Sequence, residues 1–304
     1  MAKHSGMGSP DDWGSAAKIS NLLAKRLSQR RLSLFLGAGV SAAFALPQWT
    51  ELIDNLYREA RVNRPASKDN LRDAETLAAK PKYKSNPLEF ATDLRKSLYQ
   101  GFSLDKLKGE ESPMLSALGA LVMSSVRGSA VNVVTFNYDD LLETYLRWRG
   151  FVVDSVSALP AWNGSADITV LHPHGCLPVD LKRPVTSGVV VTQKDYDRIV
   201  GDAKNYWRQR LTEVLRSTTP VFIGLSGTDS NLTSMLTEVQ DCHPSKGTDH
   251  FWGLRVTALG DANSCAWNER GVHSFECATH QDIPPFLMEI CRKAAGTRVT
   301  AEAA

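Results

Sequence analysis

Apolar residues along this chain gather into short, β-branched runs separated by longer stretches in which they return every three or four positions. The runs Leu32–Leu36, Val131–Thr135, Phe151–Val156, Ile168–His172, Gly188–Thr192, Val221–Leu225 and Phe251–Arg255 are too short for helices, and most lack regular polar alternation, which predicts buried strands. Helical spacing marks Ile19–Arg30 through Leu22, Leu23 and Leu27, then Asp139–Trp148, Asp195–Leu215 through Tyr196, Ile199, Tyr206 and Leu211, and Asn231–Val239. Strands that alternate with helices predict a mostly parallel sheet. Between about residues 50 and 126 no strand is evident, but Pro87–Tyr99 and Met114–Ser125 read as helices, so a helical module is expected between the first two strands.

Composition narrows the class without naming a function. With 304 residues, 42% hydrophobic and 22% charged, the chain can bury the core of one large α/β domain. A net charge of +2 disfavours direct nucleic-acid binding, which needs a basic surface. The first thirty residues hold Asp11, Asp12 and scattered polar side chains rather than an apolar run, so neither a cleavable signal nor a membrane span is expected and the protein is read as cytoplasmic. Five cysteines, Cys176, Cys242, Cys265, Cys277 and Cys291, contain no Cys-x-x-Cys pair; reduced thiols and no zinc ribbon are expected. Residues 1–12 and 296–304, rich in small and polar residues, are expected to be mobile, leaving one domain over 13–295. The alternating charges of Asp105–Glu111 fit a solvated helix face or loop.

Chemistry gathers where the apolar runs end. The first run leads into Gly37-Ala38-Gly39-Val40-Ser41, a strand-to-turn passage that lets backbone approach a pyrophosphate, with amides of a following helix start and the Ser41 hydroxyl as donors. The same residues also fit a tight turn that binds nothing. Neither Gly-x-Gly-x-x-Gly nor Gly-Lys-Ser/Thr is present. Trp49, a few residues on, reads as a core residue. The predicted fold class is α/β, a Rossmann-like mostly parallel sheet with an inserted helical module and no zinc ribbon.

The second run ends at Thr135 and delivers Phe136-Asn137-Tyr138-Asp139-Asp140. Asp139 or Asp140 fits a helix N-cap. Asn137, an amide at the carboxyl edge of a strand, can orient a water or a ribose hydroxyl. Leu171-His172-Pro173-His174-Gly175 follows, where Gly175 permits a sharp turn that presents His174 to a cleft as a general base while His172 stays in the strand. The later turn Gly224-Leu225-Ser226-Gly227-Thr228-Asp229 offers close backbone approach at Gly224 and Ser226; Asp229 fits either a ribose ligand or an N-cap.

Taken in order, Gly37-Ala38-Gly39-Val40-Ser41, Thr135-Phe136-Asn137-Tyr138-Asp139, His174-Gly175 and Gly224-Leu225-Ser226 resemble the sirtuin (silent information regulator 2) family over most of the chain. That resemblance implies an NAD site, with Gly37, Ala38, Gly39 and Ser41 at the phosphates, Asn137 and Asp139 at the nicotinamide end, His174 as base, and Gly224 and Ser226 on the adenosine side; Thr135 and Asp229 are counted with the cofactor-binding residues. Two departures matter: Phe136 stands where sirtuin deacylases carry Gln, and their four zinc cysteines are missing. Together with Val191-Thr192-Gln193-Lys194-Asp195-Tyr196, these features look like the bacterial sirtuin-like branch of antiphage defence, whose members hydrolyse NAD. The expected reaction is cleavage to nicotinamide and ADP-ribose; the rival readings are a protein deacylase and a non-catalytic NAD or ADP-ribose sensor. A homo-oligomer controlled by a partner such as a HerA-type ATPase is expected, with Leu115, Leu118 and Leu121 fitting either an interface or internal packing.

Overall fold

The computed structural model describes residues 10–66, 69–109, 112–123, 129–161, 165–185, 188–202, 204–242 and 250–302. In chain order the elements begin with α1 (Ala16–Ser28), β1 (Leu32–Leu36), α2 (Trp49–Glu59), α3 (Asn70–Ala78), α4 (Pro81–Ser85), α5 (Pro87–Leu98), α6 (Leu104–Gly109) and α7 (Pro113–Met123). They continue with β2 (Ala130–Thr135), α8 (Leu141–Trp148), β3 (Val153–Val156), β4 (Ile168–Leu171), α9 (Gln193–Gly201), α10 (Tyr206–Ser217) and β5 (Thr219–Ile223). The last are α11 (Ser230–Asp241), β6 (Gly253–Ala258), α12 (Ser264–Glu269), β7 (Val272–Cys277) and α13 (Ile283–Glu302).

The chain forms two compact units: Met1–Val40, Pro113–Val134 and Arg208–Ala304 make one, Ser41–Ser112 and Thr135–Trp207 the other. In the first, strands lie in the order β2-β1-β5-β6-β7. β1 and β5 run parallel from Leu32↔Thr219 to Leu36↔Ile223, and every residue of both is buried, as expected of a strand covered on two faces. The Phe35 and Phe222 rings meet at 5.1 Å within this core. The chain leaves β1 on one side for β2 and returns on the other for β5, so the carboxyl ends of β1 and β5 form the topological switch point where α/β sheets hold ligands. α1, started by the Ser15 side chain accepting from the Lys18 amide, buries Ile19, Leu23 and Leu27 and packs on α13.

The second unit contains helices α2 to α6, the parallel pair β3–β4 with Val153 opposite Ile168, then α8 and α9. The helical module is therefore real, but it ends before α7: that helix belongs to the first unit, where it packs on α13. Leu115, Leu118 and Leu121 are all buried there, so the stripe is internal packing and not an exposed interface.

Three further expectations change, and one strand, β7, had not been foreseen. Gly188–Thr192 forms no strand; it runs as irregular chain, and its residues meet the His174-Gly175 turn instead of a neighbouring strand. Asp195–Leu215 is two helices, since the cap at Asp202 leaves the helical conformation. β7 has no continuous apolar run, because its four central residues are only half-buried. Finally, α13 continues through Gly296 to Glu302 where a mobile tail was expected; one glycine costs a helix only about 1 kcal/mol. At the other end, Pro10–Trp13 form a short 3-10 turn, and residues 1–9 of the expected mobile segment lie outside the described residues. Among the described residues no helix is long and apolar enough to cross a membrane.

Candidate functional site

The switch point in the first unit is built from two turns pressed together. The Gly37 amide donates to Ile223 O at 2.9 Å, Gly39 to Gly224 O at 3.1 Å and Val40 to Gly37 O at 3.0 Å. Gly37 is thereby tied to the end of β5, Gly39 to the turn after it, and Val40 to its own turn. Only short 3-10 segments, Ala38–Val40 and Ala42–Phe44, directly follow β1, whereas the turn after β5 leads into the twelve-residue α11. The glycines are required by packing as such: a Cβ on Gly39 would stand 2.7 Å from Gly224 Cα, and one on Gly224 would stand 2.7 Å from Val40 N. Gly224 also has φ +70°. Gly224→Ala is accordingly expected to destabilise the chain by about 2–4 kcal/mol, combining backbone strain with a clash against main chain. A denaturant titration checks it, and an unchanged midpoint would refute it. Ser226 is exposed and its hydroxyl lies 2.8 Å from that of Thr228. Asp229 accepts from the Leu232 amide at 2.8 Å, so it serves as the N-cap of α11.

In the second unit the polar residues after β2 converge. Ser41 donates to the Asp139 carboxylate, with distances of 3.0 and 2.9 Å to its two oxygens, and the Asn137 side-chain amide reaches the Ser41 oxygen at 3.4 Å. Ser41, expected to serve phosphate, thus bridges Asn137 and Asp139. The Asn137 main-chain amide lies 3.2 Å from the buried Thr135 hydroxyl, and its carbonyl lies 3.3 Å from His172 Nδ1. Trp49 is half-buried and faces the Tyr138 ring at 6.3 Å rather than filling a core. Asp140 sits at the N-cap position of α8 but does not cap it: its carboxylate takes the Val179 amide at 2.7 Å and Arg183 at 2.8 Å. The carboxylate that reaches an α8 amide is Asp139, 3.3 Å from Leu141 N.

Asp139 is buried, and that burial raises its pKa to about 6 against the Ser41 and Leu141 hydrogen bonds, with Glu143 and Asp140 adding repulsion. A folded pKa above the ordinary 3.8 means that the folded chain keeps a proton the unfolded chain has lost, so stability falls as pH rises between those values. Asp139→Asn should therefore remove roughly 2–3 kcal/mol of the loss in stability seen from pH 4 to pH 7. Urea unfolding across that range reads it; parallel pH profiles for the two proteins would contradict it.

His174 lies on the turn foreseen from Gly175, whose φ is +93° and whose missing Cβ leaves room for Gly188 O. Its ring is nevertheless 2% exposed rather than presented to a cleft, because it packs edge-on to Phe136 at 5.0 Å and to Tyr196 at 5.1 Å. His174 O accepts from Val190 N at 2.9 Å, and Tyr138 donates its hydroxyl to Val190 O at 2.6 Å. These bonds fasten segment 188–192 to both the histidine turn and the residue beside Asn137. The same segment, with Pro173, Gly175, Tyr83, Phe90 and Trp207, lines a cavity of about 870 Å³, a size suited to a small ligand. Sequence reasoning missed this cavity, since its walls come from the helical module and from chain without regular structure.

It also missed Glu143. His172 is fully buried, as a strand-end residue should be, and its Nε2 is hydrogen-bonded to the buried Glu143 carboxylate. The Cys176 sulfur completes a cluster whose ligand-type atoms lie within 4.8 Å of one another, the one such group among the described residues. The other four cysteines are spread over the surface and core: Cys242 and Cys265 exposed, Cys277 buried, Cys291 half-buried.

Fold and site together define an α/β protein with glycine turns at a sheet switch point and an Asn/Asp/Ser cluster after one strand. Residues 131–273 match the SIR2-like domain family, a span just under half of the chain that includes Asn137, Asp139, His174 and Gly224. The NAD(+) hydrolase ThsA of Enterococcus faecium is 24% identical over 226 residues, which cover 72% of this chain and 43% of that protein. The chain thus spans less than half the length of that curated relative. A structure of a Sir2 enzyme solved to explain mechanism and regulation aligns with 92% of this chain and 98% of its own at 15% identity and a TM-score of 0.48. A Sir2 homologue in complex with NAD aligns over 90% and 94% at 16% identity and a TM-score of 0.45.

Proposed function

We propose that the chain is an NAD glycohydrolase that releases nicotinamide and leaves ADP-ribose. The observation that supports this reading best is the joined set Asn137, Ser41 and Asp139, a donor and acceptor array in which Asn137 and Asp139, at the end of β2, lie inside the SIR2-like span and Ser41 joins them from outside it. The likeness to an NAD(+) hydrolase agrees with it. Positively charged nicotinamide is a good leaving group, so the protein has to orient the ribose, admit one water and take up a proton. In the proposal Asn137 orients and His174 accepts the proton. Thr135 and Asp139 fix the nicotinamide end, Asp139 through Ser41. Gly37, Ala38, Gly39, Gly224 and Ser226 supply the turns for the rest of the dinucleotide. Asp229 starts α11 and is assigned in the proposal to the ribose hydroxyls.

The resemblance drawn from the motifs extends the proposal to NAD depletion in antiphage defence, by a homo-oligomer under the control of a partner such as a HerA-type ATPase. Incubating the purified chain with NAD tests the core of it. Nicotinamide and ADP-ribose are expected in equal amounts with no acyl substrate present. Nicotinamide released only with an acylated peptide would point to a deacylase, and binding without turnover to a sensor.

A further inference from the structure

The Glu143–His172 pair has no part in the proposed chemistry, yet among the described residues it is the most completely buried acid–histidine pair of the second unit, with side-chain exposures of 1% and 0%. A pair without a task is costly to bury: replacing such a pair by apolar side chains is often neutral or stabilising. Its two ring nitrogens are both engaged, Nε2 with Glu143 and Nδ1 with the carbonyl oxygen of Asn137 at 3.3 Å. The backbone on either side is fixed as well, since the His172 amide donates to Val156 O at 2.8 Å and its carbonyl accepts from the Gly175 amide at 3.0 Å.

We propose that Glu143 and His172 are positioning residues: His172, held by Glu143 at Nε2, donates from Nδ1 to the Asn137 carbonyl and so fixes the peptide that carries the Asn137 amide. The inference rests on the assignment of Asn137 to NAD cleavage. A ring that donates at both nitrogens is doubly protonated, and a carboxylate at Nε2 favours that form. Burial alone would lower the His172 pKa, but attraction to Cys176 and Glu143 leaves it well above the ordinary value; burial would raise Glu143, and His172 leaves it below. Titratable and charged groups facing the pair are Cys176, Asp139, Asp140 and Arg147. The carbonyl is the lever, because Asn137 N is already tied to Thr135, and with both ends of its peptide links held the side chain has little freedom to swing. The same atoms could be read as a metal site, but His172 would then have to give up the proton between it and Glu143.

The test is a matched pair of variants, each in a Glu143→Gln background so that no lone charge is buried. His172→Asn keeps an amide nitrogen where Nδ1 stood, and His172→Gln places it where Nε2 stood. Nicotinamide release by the full chain should show kcat for the Asn variant within about fivefold of Glu143→Gln alone, and for the Gln variant at least about tenfold lower with KM little changed. Equal activity in the two, or a loss confined to KM, would overturn the proposal. If the wild type releases no nicotinamide, the NAD reading fails and takes this one with it. Should either variant not fold, nitrogen-15 spectra of histidine-labelled wild type decide: one imidazole protonated at both nitrogens at pH 7 is expected. An unprotonated Nδ1 there, or stoichiometric zinc bound with loss of that signal, refutes it.

Discussion

Asn137→Ala is expected to lower nicotinamide release by about 10²–10³-fold while the chain stays folded. Asn137 is only half-buried, and its main chain is held by Thr135 and His172 through bonds that alanine keeps. What alanine removes is the side-chain amide that reaches Ser41, the link between Asn137 and Asp139. Truncation therefore deletes a positioned donor at modest structural cost. The measurement is a time course of nicotinamide and ADP-ribose by chromatography, with a thermal melt beside it. Release at the wild-type rate would remove Asn137 from the mechanism; loss of folding would make it a structural residue.

The second large effect is expected for His174→Ala, a fall in turnover of about 10²–10⁴-fold, the range for removing a general base. This variant carries a stability cost that Asn137→Ala does not, because the imidazole fills the space between Phe136 and Tyr196. Some loosening of the turn is expected, limited by the Val190 N to His174 O bond, which needs no side chain. His174→Gln separates the roles: it refills much of the volume without a base, so it should recover melting temperature and not activity. Recovery of both would assign His174 to packing. His174 and His172 differ here in a way that no composition argument could decide, since one is set among rings and the other on a carboxylate.

Much of the architecture was legible because it follows from local rules. A fully buried parallel strand must be apolar throughout, which is why β1 and β5 stood out as Leu32–Leu36 and Val221–Leu225, the second shifted by two residues. β7 did not, since its centre is half-exposed and carries His273, Ser274 and Glu276. Gly188–Thr192 looked like a strand because it carries three valines in a row; Val190 and Val191 are indeed buried, but against the histidine turn and the cavity wall. Periodicity records burial, and it does not record what does the burying.

By itself, then, the sequence determined most of the segments that enter the sheet, though not β7, and where the chemistry-bearing residues would emerge, because both depend on neighbours along the chain: an apolar run, then Gly37, Asn137, Gly175 or Gly224 at its end. The tertiary structure alone decided what those residues do with their hydrogen bonds. Ser41 turned to Asp139, 98 positions away; Glu143 met His172 across 29 positions; the amides of Gly37 and Gly39 met the end of β5 and the turn after it. A donor takes the acceptor that folding brings within about 3 Å, and for partners this far apart no spacing in the sequence encodes that distance.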